Sequence, residues 1–165
     1  RSNCGLMDQI SITHSKEGLA TLLDLSKLSI ESFRMPDDWR FKLVDTGIRR
    51  SLSETNYSSS EIKIETRRIH AKEESARVRA ALSSDARALG TILNESHASI
   101  SDNIRASTPE IDNMVKEIQS TAGVLGARLM GGGFGGMILA LVEEEDALPG
   151  ELLVSSAPAF LQETL

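Results

Sequence analysis

The sequence holds a single cysteine, Cys4, only three histidines and no excess of basic charge, and each scarcity removes a class of function. One cysteine cannot close an internal disulfide, so a reducing, cytoplasmic setting is expected rather than a stapled secreted scaffold. His14, His70 and His97 are too scattered for a ligand set on sequence spacing, and no metal site is expected within this chain. A formal net charge of −6 carries no electrostatic footprint for nucleic acid or for anionic membranes, and neither is expected as a partner. No apolar run reaches the roughly eighteen residues of a membrane-spanning helix, and the N-terminus lacks the basic-then-apolar pattern of a secretory signal. The chain begins with Arg1 rather than methionine, which points to processing, truncation or further residues upstream. Its 165 residues suit one domain and suffice to bury a core.

Against these absences stands a local surplus of glycine. Gly131, Gly132, Gly133, Gly135 and Gly136 surround Phe134, between GARLM and MILALV, which read as buried strands. Glycine loses the most conformational entropy on ordering, so five together imply left-handed backbone or very close approach of a ligand or a second chain segment. A two-residue hairpin turn needs one or two glycines. The run is not a Walker A loop, since no Gly-Lys-Ser or Gly-Lys-Thr closes it. Gly131, Gly133 and Gly136 satisfy the dinucleotide spacing, but a strand follows where that fingerprint requires a helix.

The rest of the chain reads as strands, then helices, then two closing strands. Ile10 and Ile12 alternate with polar neighbours, and residues 19–25, 27–33 and 41–47 are short apolar or alternating runs separated by turn residues, together suggesting a small, mainly antiparallel sheet. Residues 61–82 are charged, with Ile62, Ile69 and Ala76 seven apart, a thin apolar stripe on a solvated helix that also carries Arg67 and Arg68. Residues 85–101 place Ala86, Leu89, Leu93, Ser96 and Ile100 on one face. Thr108 and Pro109 suit an N-cap and first helical position, followed by Ile111, Met114, Val115 and Ile118 at helical spacing, with Gly123 as the C-terminal stop. This order predicts an α+β domain, a sandwich with helices packed on one face of a mainly antiparallel sheet.

Four segments, CGLMDQ (4–9), LVDTGIRRSLSETNY (43–57), NESHASISDNIRASTPEIDNMV (94–115) and GARLMGGGFGGMILALV (126–142), resemble successive signatures of galactokinase, a member of the GHMP small-molecule kinase superfamily. Their order matches the family's and they cover most of the chain. The resemblance implies an ATP-dependent, Mg²⁺-assisted phosphorylation of galactose at its anomeric hydroxyl. It assigns Asp8 as the catalytic base, Tyr57 and Gly5 to the sugar, and the loop of Gly131, Gly132, Gly133, Gly135 and Gly136 to the neighbourhood of the nucleotide phosphates. The chemistry suits those residue types, because a sugar hydroxyl is a poor nucleophile and a carboxylate beside it can take its proton as the bond to phosphorus forms.

The family's GRVNxxGEHxDY and GLSSSA segments, which hold sugar, nucleotide and metal, do not occur among these residues. Residues 1–165 are therefore expected to be the C-terminal portion of such a kinase, inactive alone, with an N-terminal half as partner and sugar and ATP as small-molecule ligands. The family usually has threonine where Met130 stands and cysteine where Met137 stands. Another sugar 1-kinase, for arabinose or N-acetylgalactosamine, and a non-catalytic galactokinase-like sugar-binding protein are the alternatives.

Overall fold

The computed structural model describes residues 7–49 and 64–154. The chain divides into two compact units, one of Arg1–Asp37 with Val154–Leu165 and one of Asp38–Leu153.

The first unit begins with helix α1 (Met7–His14) and continues into strands β1 (Leu19–Asp24) and β2 (Ser29–Arg34), paired antiparallel. The alternation of Ile10 and Ile12 suggested a strand, yet this segment is helical: eight residues are too few for period 2 to overrule helix, and nothing on α1 is buried. The β1–β2 turn is built by Asp24, whose Oδ1 accepts from the Ser26 and Lys27 amides at 3.0 and 3.3 Å and from the Ser26 hydroxyl at 2.6 Å. Those donors, the hydroxyl first, pull the Asp24 carboxyl below its ordinary range.

The second unit contains β3 (Arg40–Asp45), α2 (Ile64–Ala81), α3 (Ala86–Asp102), α4 (Pro109–Gln119), β4 (Val124–Leu129) and β5 (Met137–Val142). Its sheet has the order β3-β5-β4, all antiparallel. The first three strands thus do not form the single small sheet expected. The runs differ in burial: β1 and β2 carry no fully buried residue, whereas β3 has Lys42 buried and pairs with β5, whose Ile138, Ala140, Leu141 and Val142 are inaccessible.

Alternation along β5 sorts the core. Ile138, Ala140 and Val142 pack with Ile111, Val115 and Ile118 of α4. Leu139 and Leu141 pack with Ala86, Leu89 and Leu93 of α3, together with Trp39 and Phe41. Successive side chains of a strand point to opposite faces, so β5 is clothed on both and helix cover extends beyond one face. Helix α3 crosses β4 backbone to backbone: a methyl at Gly90 would strike the Leu125 carbonyl, and one at Gly126 the Gly90 carbonyl.

The helix caps follow the sequence. Asp85 accepts from the Ala88 amide at α3, and Thr108 from the Ile111 amide at α4, with Pro109 in the first turn. Helix α4 ends at Gln119 with Ser120 as its cap, so Gly123, at φ +80°, forms the turn into β4 rather than the helix stop. Helix α2 also departs from expectation. Ile69 is 48% exposed, and the side that meets α3 is polar: His70 pairs with Ser99 at 2.8 Å and Glu74 with Ser96 at 2.8 Å.

Two devices finish the sheet. Lys42 donates from Nζ to the carbonyls of Leu148 and Gly150, each at 2.6 Å, which lets a buried ammonium sit on β3. The outer edge of β4 is sealed by side chains: Asn94 accepts from the Ala127 amide at 2.9 Å, Gln119 donates to the Ala127 carbonyl at 2.9 Å, and His97 accepts from the Leu129 amide at 3.4 Å.

Candidate active site at the glycine loop

Of the seven residues between β4 and β5, five have positive φ angles: Gly131 +68°, Gly133 +86°, Phe134 +61°, Gly135 +148° and Gly136 +92°. Two of the glycines are also fixed by space. A methyl at Gly133 would collide with the Ala106 carbonyl, in the loop between α3 and α4, and one at Gly135 with the Ile48 carbonyl, just after β3. The bare backbone thus serves, at these positions, the close approach of other chain segments.

Hydrogen bonds make both contacts specific. The Phe134 amide donates to the Ala106 carbonyl at 2.8 Å, and the Gly136 amide to the Ile48 carbonyl at 3.1 Å. Thr46 returns two bonds to the Gly136 carbonyl, from its amide at 3.0 Å and its hydroxyl at 2.8 Å. At the neck, the Met130 amide donates to the Met137 carbonyl at 2.9 Å, and both methionine side chains are more than one-third exposed. The amides of Gly131, Gly132, Gly133 and Gly135 donate to nothing among the described residues. Such amides, without side chains beside them, are chemically suited to an anionic oxygen.

The supports of the loop are themselves held firmly. Asp45 accepts from the Gly47 amide at 2.9 Å and pairs with both Arg49 guanidinium nitrogens, at 2.7 and 2.5 Å. The Arg49 guanidinium, then the Gly47 amide, holds the Asp45 carboxyl well below the usual carboxylate range. On the other side, Arg105 adopts φ +49° immediately before Ala106. Two non-glycine residues in the left-handed region, Arg105 and Phe134, therefore flank a single hydrogen bond. Such strain costs about 1–3 kcal/mol per residue and persists where the surroundings over-determine it, as at functional sites.

Three of the four resembling segments converge here: residues 43–49, the loop after α3, and the β4–β5 hairpin. Asp8 lies in the other unit, exposed in the first turn of α1. Tyr57 and Gly5 lie outside the described residues. Ile48 and Ala106 escape sequence reasoning as individuals because they act through backbone carbonyls, and Thr46, which uses its hydroxyl as well as its amide, was marked like them only by membership in the quoted segments. Among the described residues no group of three His, Cys, Asp or Glu side chains could hold a metal. No described helix is long and apolar enough to cross a membrane.

Comparison with known proteins gives this architecture its class. Residues 78–149 match the family model described as GHMP kinases C terminal. Those residues carry the match to the C-terminal domain of the GHMP kinases. Within that class the chain is 33% identical to galactokinase from Thermococcus kodakarensis over 171 aligned positions, which cover 85% of this chain and 49% of the relative. Its fold is that of Lactococcus lactis galactokinase, solved with galactose, at a TM-score of 0.77 and 24% identity over 94% of this chain and 56% of that one. L. major mevalonate kinase, solved with R-mevalonate, matches at a TM-score of 0.57 and 22% identity over 78% of this chain and 41% of that one. The chain spans about half the length of the galactokinases it matches.

Proposed function

We propose that this chain is the C-terminal portion of an ATP-dependent sugar kinase that converts galactose to galactose 1-phosphate, working with an N-terminal half that brings nucleotide and metal. The observation that carries the reading is the 33% identity to a galactokinase across 85% of the chain. In this reading Asp8 takes the proton of the anomeric hydroxyl as its oxygen bonds to the γ-phosphorus and ADP departs. Tyr57 and the Gly5 backbone hold the sugar, and the glycine loop borders the transferred phosphate. The amides of Gly131, Gly132, Gly133 and Gly135, which have no acceptor among the described residues, support that last assignment, because they offer donors to phosphate oxygens without side-chain obstruction. Among the described residues no group of His, Cys, Asp or Glu side chains could hold Mg²⁺, and in this proposal its ligands are assigned to the N-terminal half.

The test is made in the whole polypeptide. Asp8→Asn is expected to lower kcat by about 10²–10⁴ with little change in fold, the usual loss when a general base is removed. Tyr57→Phe is expected to weaken galactose binding first, read by isothermal titration, with a smaller effect on kcat. Wild-type turnover in Asp8→Asn overturns the base assignment. Faster turnover of arabinose or N-acetylgalactosamine than of galactose moves the reading to another sugar 1-kinase. Met130 at the loop neck, where the family usually has threonine, favours one second reading, a sugar-binding protein without transfer. Galactose binding with no ADP release, unrepaired by Met130→Thr, would establish it.

A further inference from the structure

His97 is buried, 7% exposed, where three elements meet beside the glycine loop. Its Nδ1 accepts from the Leu129 amide at 3.4 Å, two residues before Gly131. Its Nε2 lies 3.3 Å from Oδ1 of Asp112 on α4. The other carboxylate oxygen of Asp112 is occupied by the Ser101 hydroxyl at 2.7 Å, while His97 Nε2 and Asp112 Oδ1 are buried and lack a well-aligned partner. The ring therefore touches the strand that enters the loop and faces the helix that follows the Ala106 support. Because the Leu129 amide needs a lone pair, Nδ1 carries no hydrogen and the neutral ring is the Nε2–H tautomer.

We propose that His97 is a positioning residue for the glycine loop, and that its neutral form holds the Leu129 root of the loop in register while protonation releases that root toward α4. A second ring hydrogen on Nδ1 would face the Leu129 N–H, so that bond is lost, and the cation is drawn to Asp112. Burial first pushes His97 below the ordinary histidine value; Asp112 on α4 opposes this, Arg128 on β4 reinforces it, and Asp102 on α3 itself opposes it. From α2, Glu74 reaches the site only through Arg128, at 3.4 Å, and His70 bonds Ser99 instead. The inference leans on the proposed kinase function only for the importance of the loop. Its readout is spectroscopic, so its failure leaves the sugar-kinase reading intact.

The experiment is a pH titration of the isotopically labelled chain by NMR. The His97 ring is expected as the Nε2–H tautomer at neutral pH, titrating below an ordinary histidine, with the Leu129 and Phe134 amide shifts following the same midpoint. His97→Asn places an amide oxygen near the position of Nδ1, so it is expected to keep the neutral-form loop shifts and abolish their titration. His97→Leu offers no acceptor, and Leu129 amide exchange is expected to become about fivefold to tenfold faster. His70→Gln should leave the loop titration unchanged. An Nδ1–H tautomer, loop amides indifferent to pH in the wild type, or a loop titration that survives His97→Asn would each overturn the proposal. The tautomer measurement needs no variant and decides the matter even if both substitutions unfold the chain.

Discussion

Helices α4 and α2 bury themselves by opposite chemistry. On α4 the apolar positions face the sheet, with Ile111 and Val115 wholly inaccessible. On α2 no residue is fully buried; Ile64, Ile69 and Val78 are exposed, while Glu74 meets Ser96, Arg77 at 2.6 Å and Arg128 at 3.4 Å. Apolar periodicity locates a buried face only when an apolar partner exists. Helix α2 packs against the far side of α3, where Ser96 and Ser99 offer hydroxyls, so its charged residues turn inward.

This contrast can be broken at either helix. Ile111→Ala is expected to have the largest effect, about 2–5 kcal/mol of stability by denaturant unfolding, because it leaves a cavity between α4 and the sheet. A loss below 1 kcal/mol would mean that the site collapses freely. Glu74→Ala should cost less, about 1–3 kcal/mol, since it strands Arg128 and the Ser96 hydroxyl in a partly solvated network. Its cost should shrink in high salt, whereas that of Ile111→Ala should not. Acidification sharpens the same difference. Desolvation lowers both His70 and His97 relative to an ordinary histidine, so just below that value the unfolded chain binds protons that the folded chain refuses. Stability contributed by the neutral rings is thus full above pH of about 6.5 and is lost as pH falls through the depressed folded values. His70→Gln should flatten part of that slope in thermal melts between pH 7 and 5. Smallest of all, Ile69→Ala is expected to stay within about 0.5 kcal/mol of wild type, as an exposed substitution should.

Much of the second unit was legible in the sequence because its signals are local. Thr108 and Pro109 announce α4, the spacing of Ala86, Leu89 and Leu93 announces α3, and the flanks of the glycine run announce β4 and β5. Pairing was less legible. Strand β3 joins β5 across more than ninety residues, and local alternation contains nothing about a partner so distant. At the site, the glycine run was visible as a demand for bare backbone, but its satisfiers were hidden. Ala106 and Ile48 contribute carbonyls, which every residue type possesses, and the left-handed turn at Arg105 has no sequence marker. The role of His97 is hidden for a related reason: an imidazole that accepts from a strand amide looks, in one dimension, like any isolated histidine.

The polar seal along β4 has one more consequence. An open strand edge is a template for a second chain, and natural sheets blunt it with bulges, charges or cover. Here much of the protection is delegated to Asn94, Gln119 and His97, whose amides and imidazole occupy the main-chain groups that an incoming strand would use. Truncating one of them need hardly disturb the core, yet it uncovers part of a docking template. Strand pairing at this edge is therefore blocked by residues that a search for buried hydrophobic side chains would pass over, and self-association is the expected first sign of their loss.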